Sequence, residues 1–156
     1  MALPYRRAEA KAWAKATMRG VCNVVMPTFT GDLRRLNPAA IRHDLRRSVA
    51  CGFWGSLLAS ECGTTLEEMR QFIEIAAAEA PAGYHLVLHG SFDTLEDVIA
   101  MCRVAEGAGC TAVLLAYPLT FYPQSVDDIV AYTEAVSRAT NLAIILFAIG
   151  FWGFRR

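Results

Sequence analysis

Five short apolar stretches recur along the chain, and four of them lead into a segment whose apolar positions fall three and four residues apart. The first, VCNVVMPTF (21–29), is β-branched and apolar and ends around Pro27, as a buried strand does. Asn37-Pro38 then supplies an N-cap residue followed by proline at the first helical position. Ile41, Leu45 and Val49 follow on one face, and Gly52 closes the predicted helix. WGSLLAS (54–60) predicts a second strand. Thr65 and Glu68 form a capping box that opens a helix with Leu66, Met69, Phe72, Ile73 and Ala76 at helical spacing. YHLVLHG (84–90) predicts the third strand. Asp93 with Glu96 is expected to cap the next helix, whose inward positions are Leu95, Val98, Ile99 and Cys102, with an end near Gly107 and Gly109. TAVLLAYP (111–118) is the fourth strand, and Ser125 opens a helix carrying Ile129, Val130 and Val136. Residues 142–149 are the fifth strand. Ahead of all this, residues 1–19 are basic and are expected to form a surface helix that packs through Trp13.

Strand starts recur about every 30 residues, the length of a β-strand and a returning helix. Such alternation predicts an α/β fold with a parallel sheet and right-handed crossovers. An open doubly wound sheet and a (β/α)8 barrel share the pattern. Five strands would complete the first and build a little over half of the second. A nucleotide-binding doubly wound sheet calls for a glycine-rich turn after strand one. PTFTGDLRRLNP has a single glycine there and neither phosphate-binding signature.

Composition narrows the function classes. The chain has 156 residues, 54% hydrophobic and 19% charged, with formal net charge +0. That fits one domain, and general electrostatic attraction to nucleic acid is not indicated. The longest apolar run, 142–154, falls short of the roughly 18 residues a spanning helix needs, so stable membrane insertion is not expected. The basic N-terminus lacks the apolar core of a signal peptide; a transit peptide is the alternative to the surface helix. Cys22, Cys51, Cys62, Cys102 and Cys110 form no CxxC pair and read as buried thiols of a reducing, cytoplasmic compartment. His85 and His89 share one strand face, but no third metal ligand has convincing spacing, so they read as core or rim residues. Phe151, Trp152 and Phe154 before Arg155 and Arg156 could meet a membrane surface, although a fifth strand explains the same apolar run.

Four stretches, in order, carry a resemblance. GVCNVVMPTFTGD resembles the opening strand of the dihydrodipicolinate synthase and N-acetylneuraminate lyase family. SLLASECGTTLEEMRQF resembles its Gly-Thr-Thr-Gly-Glu loop and acidic helix start. AEGAGCTAVLLAYPLTFYPQS resembles the approach to its fourth strand and the proline- and tyrosine-rich loop beyond, and LAIILFAI its fifth strand. The resemblance implies the N-terminal part of a (β/α)8 (TIM) barrel, about five strands and four helices after an N-terminal helix. It divides the chain into a helical extension, 1–19, and a partial barrel, 20–156.

The resemblance also implies a class I aldolase or lyase that holds pyruvate or a related 2-keto acid as a Schiff base on a lysine. The protonated imine is the electron sink, so no metal or organic cofactor is expected. Ser60 and Glu61 fall where the family binds the keto-acid carboxylate and relays protons, although Leu58 and Ala59 stand where its threonine pair would be. Tyr117 and Tyr122 flank the loop holding its proton-shuttling tyrosine, with Thr120 in direct register. Phe147 replaces its strand-five tyrosine, and Arg155 or Arg156 falls near its carboxylate-binding arginine. The family's lysine ends strand six. The only lysines here are Lys11 and Lys15, both in the extension. The expectation is therefore a member cut before its nucleophile and inactive alone. The alternative is a non-catalytic half-barrel that persists by association, as a homo-oligomer pairing its exposed strand edges.

Overall fold

The computed structural model describes residues 2–118 and 121–147. Five strands form one parallel sheet: β1 (Cys22–Val25), β2 (Gly55–Leu58), β3 (His85–Gly90), β4 (Ala112–Leu115) and β5 (Ala143–Leu146). Their order in space is their order in sequence, and each strand pairs in parallel with the next. A doubly wound sheet reverses direction at a switch point. This one does not, and its crossover helices all share one side, as in a barrel wall. Those helices are α2 (Pro38–Ala50), α3 (Leu66–Glu79), α4 (Leu95–Ala108) and α5 (Val126–Ala139), preceded by α1 (Ala10–Thr17) in the extension.

Helix starts follow side-chain capping. Asn37, Thr65 and Ser125 each accept a hydrogen bond from the backbone N–H three residues on, as their sequences predict. For α4 the expected cap is corrected: Thr94, not Asp93, occupies the N-cap and accepts from the Asp97 N–H. Strand ends also move inward, because pairing stops before the apolar runs do. The expected continuation of β5 to 149 lies outside the described residues.

Two apolar layers flank the sheet. On the helix side, Val25, Leu58, Leu88, Val113 and Leu115 pack beneath Ile41, Leu45, Phe72, Ile73, Val98 and Val136. Val49, expected on one face with Ile41 and Leu45, is only half-buried, and Ser48 takes the buried position one residue earlier. Leu66 and Val130 are exposed. Ser48 belongs to a closed polar network. Asn23 Nδ2 donates to Ser48 Oγ at 2.6 Å, Ser48 Oγ donates to the Asp44 carbonyl, and Ser56 Oγ donates to Asn23 Oδ1 at 2.6 Å. Because the Ser56 proton is committed to Asn23, the 2.6 Å contact with Tyr84 is donated by the tyrosine.

On the opposite side, Val87, Ala112 and Ala143 are covered by the extension, chiefly Tyr5 and Trp13. Tyr5 Oη donates to the Thr111 carbonyl at 2.5 Å and accepts from the Ala143 N–H at 2.6 Å, tying β4 to β5. Trp13 lies tilted against Tyr5 at 4.5 Å and meets the His85 ring edge-on at 5.2 Å. The expected Trp13 packing is thus present, but onto the sheet face that helices α2–α5 leave bare. The cysteines divide. Cys102 and Cys110 are buried with thiols pushed up to about 12 by burial, whereas Cys22 and Cys62 are half-buried and Cys51 is exposed, which corrects the expectation of five buried thiols.

Candidate active site

Where parallel strands release the chain at their C-terminal ends, loops carry side chains free of the sheet's packing demands. The β2–α3 loop brings Ser60 and Glu61 there, and β3 ends with His89, Gly90 and then Ser91. Parallel register sets Leu58 beside Leu88, so the two loops leave the sheet side by side. Gly90 lets β4 lie close against the end of β3, because a β-carbon there would press on Val113 at 2.8 Å.

These residues form one hydrogen-bonded unit. Ser60 Oγ donates to the Ser91 carbonyl at 3.0 Å and lies 3.3 Å from His89 Nδ1. Ser91 Oγ donates to the Glu61 carboxylate. Ser60 and His89 are buried, at 7% exposure each, while Glu61 reaches solvent. Burial holds the His89 imidazole below its ordinary range, and the negative Glu61 opposes that shift only in part. Phe147, past the end of β5, sets its ring edge-on to His89 at 6.4 Å. Beside this unit a cavity of about 480 Å³ opens between the two loops, lined by Glu61, Gly63, Thr64, Ser91 and Phe92. Thr64 Oγ1 is buried there without a hydrogen-bond partner.

Of the four residues singled out in the sequence, Ser60 and Glu61 are brought together. Tyr117 is buried in the helix-side layer, stacked on Phe121 at 5.5 Å and beside Tyr132 at 5.2 Å. Its hydroxyl lies 2.7 Å from Thr133 Oγ1, whose own proton goes to the Ile129 carbonyl, so Tyr117 donates to Thr133. Tyr122 stands on the β4–α5 loop, 76% exposed. Thr120, Arg155, Arg156, Phe151, Trp152 and Phe154 lie outside the described residues. The sequence reading did not include Ser91 and did not link His89 to Ser60. The signal available was weak: a serine directly after a strand-ending glycine, and a histidine 29 residues from the serine it meets. Among the described residues no group of three or more His, Cys, Asp or Glu could hold a metal ion, and no helix is long and apolar enough to cross a membrane.

Comparison with known proteins places this geometry among related folds. No family model matches the chain. The 4-hydroxy-tetrahydrodipicolinate synthase of Methanopyrus kandleri is 24% identical over 136 residues, 85% of this chain and 45% of that protein. The N-acetylneuraminate lyase of Fusobacterium nucleatum superposes with TM-score 0.77 at 20% identity, over 85% of this chain and 47% of the lyase. The same lyase complexed with pyruvate gives 0.76 at 20% identity, over 85% and 46%. The dihydrodipicolinate synthase of Agrobacterium tumefaciens gives TM-score 0.74 at 22% identity, over 84% and 45%. The chain spans about half the length of these proteins. The match and the superpositions agree with the resemblance to the dihydrodipicolinate synthase and N-acetylneuraminate lyase family. The fold is the N-terminal part of their (β/α)8 barrel.

Proposed function

We propose that this chain forms the first five strands of an aldolase or lyase barrel acting on pyruvate or a related 2-keto acid through a lysine Schiff base. The sequence match to 4-hydroxy-tetrahydrodipicolinate synthase, running along 85% of the chain, carries the reading. The Ser60–Glu61–His89–Ser91 unit supports it, because it sits where barrel enzymes of every chemistry keep their sites. The pyruvate-bound lyase of the same fold points to the substrate class. On this reading residues 20–156 are barrel and 1–19 its helical extension. Thr64 offers its hydroxyl to the keto-acid carboxylate, Ser60 orders the site through its contacts with Ser91 and His89, and Glu61 with Ser91 holds the adjoining proton network. Tyr117 and Tyr122 belong to the rim at β4, Tyr117 through its contact with α5.

The imine-forming lysine would come from strands six to eight, whether joined to this chain or carried by another. Lys11 and Lys15 both lie on the exposed side of α1, among the residues preceding β1. The chain alone would then be inactive in Schiff-base chemistry, in a cytoplasmic setting, with no cofactor. Borohydride reduction in the presence of pyruvate, followed by intact mass measurement, tests this. The chain alone should gain no mass, and a fusion to strands six to eight of the Fusobacterium nucleatum lyase should gain one adduct on the grafted lysine. An adduct on Lys11 or Lys15, or none on the fusion, would overturn the reading.

One observation favours a second reading, a non-catalytic half-barrel that persists as a homo-oligomer. The outermost strands expose Val24 at 53% and Leu146 at 60%, and Met26, just past β1, is 50% exposed, apolar side chains that pairing with another chain would cover. A stable, monodisperse dimer without imine chemistry in light scattering would favour this alternative.

A further inference from the structure

His89 is the one histidine of the chain that joins the hydrogen-bonded unit at the strand ends, and its neighbours determine where its proton sits. A serine hydroxyl has a single hydrogen. That of Ser60 goes to the Ser91 carbonyl at 3.0 Å, which leaves Ser60 Oγ as an acceptor toward His89 Nδ1 at 3.3 Å. The Nδ1 atom must then carry the ring's hydrogen. In a neutral imidazole the other nitrogen, Nε2, is left with a bare lone pair. Among the described residues nothing hydrogen-bonds to Nε2.

The backbone fixes the direction of the ring. His85 and Val87 precede His89 at strand period on the face opposite the helices, where His85 meets Trp13 and Val87 packs against the extension. His89 is the last of that row, one step above the extension's cover and facing Phe147 across β4. A phenyl ring supplies no proton and accepts none, so on this side of the site the exchangeable position belongs to His89.

We propose that His89 is the proton acceptor of this site: Ser60 pins the ring hydrogen on Nδ1 and presents Nε2 to a 2-keto acid bound at the C-terminal ends of β2 and β3. The ligand's identity rests on the function proposed above; the state of the ring does not. In the transfer, the C–H bond next to the keto carbon breaks and an Nε2–H bond forms. The electron pair moves into the adjoining carbonyl unit as an enolate, and His89 becomes an imidazolium. Glu61, the charged group whose field reaches His89 from the β2–α3 loop, stabilises that cation. Burial keeps the resting ring neutral, as an acceptor requires.

Long-range proton–nitrogen spectra of the 15N-labelled chain test this directly. Wild type should show Nδ1 protonated and Nε2 bare at neutral pH. Ser60→Ala should raise the ratio of Nε2–H to Nδ1–H roughly tenfold, the worth of one hydrogen bond, while Ser60→Thr, which keeps the hydroxyl, should not. Added pyruvate should shift the Nε2 resonance toward its protonated position. A dominant Nε2–H form in wild type, or an unchanged ratio in Ser60→Ala, overturns the assignment. Pyruvate that moves the Glu61 and Ser91 amide signals but not Nε2 removes His89 from the chemistry and leaves the keto-acid reading intact. Pyruvate that moves none of them overturns the keto-acid reading, and with it the ligand assigned to His89.

Discussion

Ser56 is fully buried yet polar, and it is tolerated because every hydrogen-bonding group around it is matched. Ser56→Ala would strand Asn23 Oδ1 and the Tyr84 hydroxyl together. A loss of about 2 kcal/mol in urea unfolding is expected, and an unchanged midpoint would show that water replaces the serine. His85 and His89 make a pH-dependent contribution of the opposite kind. Both are held below the ordinary histidine range, chiefly by burial. As pH falls below about 6.5 the unfolded chain takes up protons before the folded one does. Stability is therefore full above that value and declines as pH falls through the folded-state values, ahead of the carboxylates. Urea midpoints at pH 7.5 and 5.5 check this, and a flat profile would contradict it. The sequence made Ser60 and Glu61 legible through a motif. The role of Ser91 was not legible, because its importance comes from a carbonyl and a hydroxyl pointing to two different neighbours.

Helices were legible because their signals are local. Capping boxes and apolar spacing placed α2, α3 and α5 to within a residue or two of their starts. The start of α4 shows the limit: Asp93 with Glu96 and Thr94 with Asp97 both satisfy the spacing, and only the backbone decides. Strands were placed correctly, but their lengths were overstated, because an apolar residue past the last paired position looks the same as one within it. Gly55 is an element-scale requirement that composition does not reveal. It pairs with His85, and a β-carbon would run into the His85 carbonyl. Gly55→Ala should force β2 from β3 and cost ~2–3 kcal/mol, seen as a lower thermal midpoint. A neutral result would mean that the two strands can part without loss.

Sequential strand order resolved the choice that local pattern left open, and no window of sequence could have done so, because order in space is a property of the assembled sheet. The extension is the other feature visible only when whole. A basic helix with one tryptophan reads as surface, yet it covers Val87, Ala112 and Ala143 on the sheet's second face. Removing residues 2–18 should uncover that layer, lower the thermal midpoint and raise binding of a hydrophobic dye. If the truncated protein melts like the intact one, the extension is an ornament rather than half of the core.

Tyr5 reaches residues 106 and 138 positions further along the chain, and Arg7 reaches Ser137. Each strand–helix unit needs only its predecessor to settle, so the sheet can be laid down in the order of synthesis. The extension cannot follow that order. It leaves the ribosome before the strands it covers, yet its Tyr5 and Arg7 contacts need residues at β4, α5 and β5, and it must wait incompletely docked while they are made. In a growing chain, residues made ahead of the sheet are thus among the last to find their place, and the bare sheet face is at risk of wrong partners throughout that interval.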